Sequence, residues 1–155
     1  MVFGRTMLAA CLLCAAMSGG AQAAATPKEL VRGLYSERNL SLSPSQSSRY
    51  FARDLDAALR HDASNPEEVG AVDFDYRYGA QDLKIGGLHL LEQVDADNAR
   101  VVAVFKNFGK ANGVDWTLCR RPNGDWRIAD ATSNTGAADW DLRQLLKLPA
   151  GPVAC

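Results

Sequence analysis

Short apolar segments separated by turn signals run from about Leu83 to Thr132, and their spacing predicts antiparallel strands. Val101 to Phe105 is apolar at every position, which predicts a central strand that is covered on both faces. In the two segments that follow, apolar and polar positions alternate, which is typical of strands with one buried face. Their apolar positions are Val114, Trp116 and Leu118, then Trp126 and Ile128. The pattern therefore predicts a four-stranded antiparallel meander whose apolar face needs a cover.

Two helix-start signals precede the strands. Thr26 with Glu29, and Ser43 with Gln46, have the spacing of capping boxes, and a proline follows each cap at the first helical position. After each signal apolar residues recur at helical spacing, the second stripe ending near His61. We expect two amphipathic helices that cover the apolar face of the sheet.

The ends of the predicted sheet carry two further signals. Gly86 and Gly87 fall inside the first strand, where paired glycines are typical of a bulge that bends the sheet. Beyond Thr132, Asp139 can cap a short last helix that ends before Pro149. A chain of 155 residues with 47% hydrophobic residues fits one core. We therefore expect a single α+β domain over 24–148 and a tail over 149–155.

The first residues have the pattern of a signal peptide. Arg5 precedes an apolar run from Met7 to Met17, and Ala21-Gln22-Ala23 is a small-x-small cleavage site. We expect residues 1–23 to be removed after Ala23 and the product to be exported to the periplasm. No later segment has the roughly 20 apolar residues that a membrane span requires. The alternative is lipid attachment at Cys11, because Leu8 to Cys11 is similar to a lipoprotein cleavage motif.

Cleavage after Ala23 would leave two cysteines, Cys119 and Cys155. An even pair in an oxidising compartment predicts a disulfide. The alternative is a buried thiol at Cys119 and an unordered last residue.

Charge and metal-ligand spacing exclude two classes of function. The net charge is −1, and Arg120-Arg121 is the longest basic cluster, so we expect no nucleic-acid binding. His61 and His89 have no acidic or cysteine partner at ligand spacing, and we expect no zinc. Asp73, Asp75 and Asp82 lack the tighter spacing and turn glycine of a calcium loop. We expect neither a metal nor a cofactor.

Nucleophilic catalysis has no sequence signature here, but proton transfer has a weak one. Asp130 shares strand parity with Trp126 and Ile128, which predicts that it faces the core, and a desolvated aspartate there could act as a base. Its candidate neighbours on the helices are Tyr35, Tyr50 and Asp54. The competing interpretation, which we favour, is that Asp130 caps a turn and the tyrosines are packing residues. We expect no catalytic residue.

Four stretches of the sequence stand out as motifs: Leu42-Ser43-Pro44-Ser45, Asp73-Phe74-Asp75 with Ala80-Gln81-Asp82, Phe105-Lys106-Asn107-Phe108-Gly109 and Trp126-Arg127-Ile128-Ala129-Asp130. Together they resemble an exported bacterial family called domain of unknown function 3828. The resemblance runs from about Thr26 to Leu146 and implies export and a fold similar to the nuclear transport factor 2-like group, a cone with helices packed in the concavity of a curved sheet. Where the family has Asp-Pro, this chain has Asp75-Tyr76. The family brings no established activity.

Three functions stay open on these observations. The first is a non-catalytic binding module whose partner is a periplasmic or envelope protein, with an inhibitor or immunity-type role, and it predicts a filled cone with exposed aromatics outside. The second is a small-ligand binder or ketosteroid-isomerase-like enzyme, and it predicts an open apolar pocket of at least about 300 Å³ with a perturbed carboxylate. The third is a lipoprotein accessory anchored at Cys11.

Overall fold

A computed structural model describes residues 25–64, 69–133, 139–149 and 155. The expected signal peptide over 1–23, and with it the lipoprotein alternative at Cys11, lies outside the described residues, as does most of the expected tail. Within the described ranges, no helix is long and apolar enough to cross a membrane.

Three helices come first: α1 (Pro27–Ser36), α2 (Pro44–Tyr50) and α3 (Arg53–Asp62). Both predicted capping boxes are confirmed. The Thr26 hydroxyl accepts a hydrogen bond from the Glu29 backbone N–H, and the Glu29 carboxylate accepts one from the Thr26 N–H. Ser43 and Gln46 repeat this arrangement at the start of α2.

Within the described ranges, five antiparallel strands form one sheet in the order β1-β2-β3-β4-β5. They are β1 (Ile85–Asp95), β2 (Asn98–Asn107), β3 (Lys110–Arg120), β4 (Trp126–Ser133) and β5 (Trp140–Asp141), and a one-turn helix α4 (Leu142–Leu145) follows. The predicted fold of two helices on a four-stranded meander is therefore wrong. A fifth strand pairs with the end of β4, three helices precede the sheet, and Asp141, not Asp139, caps α4 by accepting from the Gln144 N–H.

The predicted second helix is interrupted at Phe51 and Ala52, which are extended. Phe51 forms a parallel bridge with Ile128 of β4, and the Ala52 N–H donates to the Ile128 carbonyl at 2.8 Å. The helix is interrupted because these two residues bind the edge of β4 at Ile128, a part of β4 that the two-residue strand β5 does not cover. Ile128 is about 76 residues away in sequence, and helical periodicity, which is read from neighbouring residues, contains no information about so distant a partner.

The sheet has a core face, which carries Val101, Trp116 and Ile128, and an opposite back face, which carries Arg100 and Thr117. The helices lie on the core face. On β2, Val101, Ala103 and Phe105 are buried, but Val104 on the back face is 37% exposed. The prediction that this strand is covered on both faces is therefore wrong for the described part of the chain.

Two register shifts interrupt the sheet. The first, between Gly86 and His89, confirms the bulge predicted at the paired glycines. The second lies opposite Thr117 and Leu118, where Ala129 is the extra residue of β4. A bulge reverses strand parity. Asp130 therefore pairs with Thr117 on the back face, and the prediction that it faces the core is wrong.

Cys119 and Cys155 lie at disulfide distance, with Cα atoms 5.7 Å apart, as the sequence predicted. Cys119 is on the back face, where a small apolar cluster joins it to Ala52 and Ala129. The last residue of the chain is thereby attached behind the sheet.

Candidate functional site

Tyr35, the first candidate, is a packing residue beneath the sheet. Its hydroxyl donates to the Arg77 carbonyl and accepts from the Trp116 indole N–H at 3.3 Å. Its ring makes edge contacts with Tyr78 and Trp116. Burial raises the pKa of Tyr35 well above its ordinary value, so the hydroxyl stays protonated.

The Tyr50 hydroxyl is also engaged, at the same C-terminal end of α1. It donates to the Glu37 carboxylate at 2.7 Å. Burial, and then this hydrogen bond, raise the pKa of Tyr50 to about 12. A phenol with that pKa is no base or nucleophile near neutral pH.

The structure brings the other two candidates, Asp54 and Asp130, to the same buried arginine. Asp54 Oδ2 lies 2.8 Å from Arg143 Nη2, and Asp130 Oδ1 accepts from the backbone N–H groups of Ala131 and Arg143. Burial raises the pKa of Asp130, and the charge of Asp141 adds to the shift. The aspartates therefore position Arg143 and share no site with Tyr35 or Tyr50.

Arg143 itself holds the C-terminal part of the chain against β4. Its guanidinium donates to the carbonyls of Ala129 at 3.3 Å and Pro149 at 3.1 Å. Arg143 Nε is buried without a hydrogen-bond partner among the described residues. No sequence pattern indicates this role, because Asp54 and Ala129, which bond the guanidinium, are distant from Arg143 along the chain.

The space between the helices and the core face is filled by aromatic rings. Their centroids lie 5.3 to 6.4 Å apart in mostly edge-to-face contacts, the usual geometry of packed aromatic pairs. In the described part of the chain, packed rings therefore occupy the side of the sheet on which the enzyme hypothesis expected an open pocket. The rings are those of Tyr35, Tyr50, Phe51, Tyr76, Tyr78, Phe105 and Trp116.

An open cleft of about 1090 Å³ lies instead at the outer edge of the helices. We call it the helical cleft: it is bounded by residues 38–44, the end of α3 (59–63) and the segment 70–77, with Leu83 at its rim. Leu42, Leu59, Val72 and Phe74 provide its apolar lining. The Asp73-Phe74-Asp75 stretch was conspicuous in the sequence, but its place in a cleft depends on the helices opposite.

An ion pair fixes one wall of the helical cleft. Arg77 and Asp75 have side chains only 6% and 15% exposed, with Nη2 and Oδ2 2.7 Å apart and Nε donating to Oδ1 at 3.0 Å. Arg77 Nη1 also donates to the Glu37 carbonyl at the end of α1. Burial by itself lowers the pKa of Arg77, but the hydrogen bond and charge of Asp75 more than offset this, and the pKa is raised.

A second polar group underlies the helical cleft between α2 and α3. The buried Ser47 hydroxyl donates to Asp56 Oδ1, and Arg60 Nη2 lies 3.0 Å from Asp56 Oδ2. No histidine takes part in these contacts, and a serine that donates to a carboxylate paired with arginine is not activated as in a catalytic triad. Among the described residues, no three His, Cys, Asp or Glu side chains are grouped to hold a metal ion.

Beside the helical cleft, the turn between β2 and β3 presents an exposed aromatic ring. Phe108, 59% exposed, has a φ of 48° and is followed by Gly109 at a φ of 80°. The Phe108 N–H donates to the Lys84 carbonyl, and the Asn107 side chain bonds the backbone on both sides of Leu83. We call residues 82–84 and 106–110 the hairpin tip.

No protein-family model, curated protein or solved structure matches the chain. The resemblance to the domain of unknown function 3828 family therefore stays a prediction from the sequence motifs.

Proposed function

We propose that this protein is a non-catalytic periplasmic binding module that recognises another protein through the hairpin tip. An inhibitor or immunity-type role toward an envelope protein is the specific form of this proposal. The observation that carries it is Phe108, a large aromatic residue that is both exposed and held at positive φ.

The conformation of Phe108 is unfavourable for its residue type. Phe108 is the first loop residue of a two-residue hairpin and has a positive φ. This position is normally Asn, Asp or Gly, because a bulky side chain at positive φ crowds the backbone. Keeping phenylalanine costs on the order of 1 kcal/mol. The ring does not offset this by packing inside the protein, since 59% of the residue is exposed. Such a ring supports binding, because exposed aromatic anchors dominate the energy of many protein interfaces.

The surroundings of Phe108 suggest the chemistry of the partner. Leu83, 41% exposed, lies on the neighbouring segment of the hairpin tip, so the apolar surface is larger than one ring. Lys84, Lys106 and Lys110 are exposed around it. An apolar pocket with an acidic rim on the partner would complement this surface.

Binding of a small ligand in the helical cleft is a second candidate, favoured by its volume. The roughly 1090 Å³ between described residues exceeds the smallest ligand sites, which are about 300 Å³. The carboxylate with the raised pKa, Asp130, is on the back face and does not line the helical cleft. The cleft therefore supports ligand binding better than ketosteroid-isomerase-like catalysis.

The test of the proposed function is affinity capture from periplasmic extract with quantitative mass spectrometry. Phe108→Asn is the informative variant, because asparagine tolerates positive φ and removes only the ring. Val69→Ser, at a residue that is 84% exposed in another segment, is the control. We expect a protein that wild type and Val69→Ser recover and Phe108→Asn loses. Recovery of the same proteins by all three baits would contradict the proposal.

Native mass spectrometry of the protein from the same extract tests the second candidate. A retained small molecule that is lost in Leu59→Trp, which fills the helical cleft, would favour it over the protein partner.

Export is tested separately by sequencing the mature N-terminus. We expect it at Ala24 in the periplasmic fraction. A lipid-modified Cys11, or an uncleaved chain in the cytoplasm, would refute this part of the proposal.

A further inference from the structure

Strand β1 forms one edge of the sheet. It is 11 residues long, and among the described residues it pairs with β2 alone. The turn at Ala96 and Asp97 leaves Asp95 paired with Asn98, which is the hydrogen-bonded pair that closes a two-residue hairpin. Because bonding direction alternates along a strand, Leu90, Glu92 and Val94 direct their backbone N–H and C=O groups away from β2. No described residue bonds to these backbone groups.

Beyond the bulge between Gly86 and His89, this edge lacks much of the usual protection against pairing with another strand. Natural edge strands are blunted by proline, by lysine, by shortness, by bulges or by inward-facing charges. From Ile85 to Asp95 there is neither proline nor lysine. Two apolar side chains are exposed instead, Leu91 at 61% on the back face and Val94 at 51% on the core face. The Glu92 carboxylate is occupied, since it accepts from the Lys28 N–H at the start of α1.

We propose that β1 pairs antiparallel with β1 of a second copy of this chain, about a two-fold axis at Leu91. In this register Leu91 lies directly opposite Leu91 of the second copy. Val94 lies opposite Leu88 of the second copy, and Gln93 opposite His89. The exposed Leu91 side chains thus cover each other, the exposed Val94 lies against the partly buried Leu88, and the outward backbone groups are paired. The result is one continuous sheet of ten strands, twice the five of each chain.

The neighbouring registers are less favourable for the same strand. A two-fold axis at Glu92 places two carboxylates directly opposite each other, which is destabilising. An axis at Leu90 places Leu91 opposite His89. A register centred between two residues would turn the second copy over, so that its core-face side chains would lie on the back face of the first copy. The axis at Leu91 is the register that matches apolar with apolar, and this self-complementarity favours a second copy over an unrelated strand.

Cysteine cross-linking tests both the pairing and its register. Two residues directly opposite in a non-hydrogen-bonded pair have Cα atoms about 4.5 Å apart, which a disulfide can bridge. We therefore expect Leu91→Cys to give a covalent dimer under mild oxidation. Gln93→Cys is the matched control: its two copies would lie four positions apart, roughly 13 Å, and should stay uncrosslinked. Equal cross-linking of the two variants would overturn the register.

Sedimentation of the unmodified protein tests the dimer itself. We expect wild type to self-associate and Leu91→Lys to weaken association at least tenfold, because two lysines would then be opposed. Val69→Lys, at a residue that is 84% exposed outside the sheet, should associate as wild type does. A wild-type protein that stays monomeric at all concentrations would overturn the proposal.

Discussion

Replacing Arg77 with methionine tests whether a buried ion pair holds the wall of the helical cleft to α1. Methionine keeps much of the side-chain length and removes the guanidinium. The change leaves the Asp75 carboxylate, 15% exposed, without its counter-charge. It also removes the donor to the carbonyls of Leu34 and Glu37 at the end of α1.

Removing one partner of a buried ion pair costs about 3–5 kcal/mol, mostly because the remaining charge is stranded. That is a large share of the roughly 5–15 kcal/mol that stabilises a domain. We expect Arg77→Met to lower the free energy of unfolding by this amount in urea denaturation followed by tryptophan fluorescence. Adding Asp75→Asn should recover part of the loss, because the stranded carboxylate is then neutral.

Arg100→Met is the matched control, because the chain has a second bidentate arginine-aspartate pair in the open. Arg100 bonds both oxygens of Asp115 on the back face, but its side chain is 59% exposed. Solvent-exposed pairs contribute little. We expect Arg100→Met to shift the urea midpoint only slightly. Equal shifts for Arg77→Met and Arg100→Met would refute the reasoning that burial gives the Asp75–Arg77 pair its importance.

The remaining predictions concern the sheet. Leu118→Ala, at a fully buried residue, should cost about 2–5 kcal/mol, and Thr117→Ala on the back face much less, in the same denaturation assay. Replacing Cys119 and Cys155 with serine should cost up to roughly 4 kcal/mol by chain entropy, because the bond spans 36 residues, and reducing agent should destabilise only wild type. The raised pKa of Asp130 makes its stabilising contribution present below its unfolded pKa and absent above its folded pKa. The free energy of unfolding of Asp130→Asn should therefore increase relative to that of wild type as the pH rises from about 3 to 7, the range in which the carboxyl ionises.

Each of these has a clear contrary result. Equal midpoint shifts for the Leu118 and Thr117 variants would place the helices on the other face. Two alkylatable thiols in oxidised protein would remove the disulfide. A stability difference between wild type and Asp130→Asn that does not change with pH would mean that Asp130 is not buried as described.

The helix starts and the bulge at Gly86 and Gly87 were predictable because their causes are local. A capping box is a pair of hydrogen bonds between residues three apart, so Thr26 and Glu29 carry the whole signal. Val114, Trp116 and Leu118 were likewise predictable as core residues, because alternate residues of a strand face the same side.

The candidate site could not be predicted in the same way. Asp130 shares parity with Ile128 in sequence, but the bulge at Ala129 moves it to the back face beside Arg143. Tyr35 and Tyr50 lie on the two predicted helices, yet only the fold shows that Trp116 and Glu37 occupy their hydroxyls.

The sequence by itself determined where α1 and α2 begin, which residues of β3 face the core, and which two cysteines lie at disulfide distance. These depend on hydrogen bonds within one turn, on side-chain periodicity and on a count of thiols. Only the tertiary structure decided the break at Phe51 and Ala52, the fifth strand and the parity of Asp130. The break and the fifth strand depend on which edge of β4 is free to form backbone hydrogen bonds, and that edge exists only after residues distant in sequence have come together. The parity of Asp130 depends on the bulge at Ala129, which is defined only by the pairing of β4 with β3.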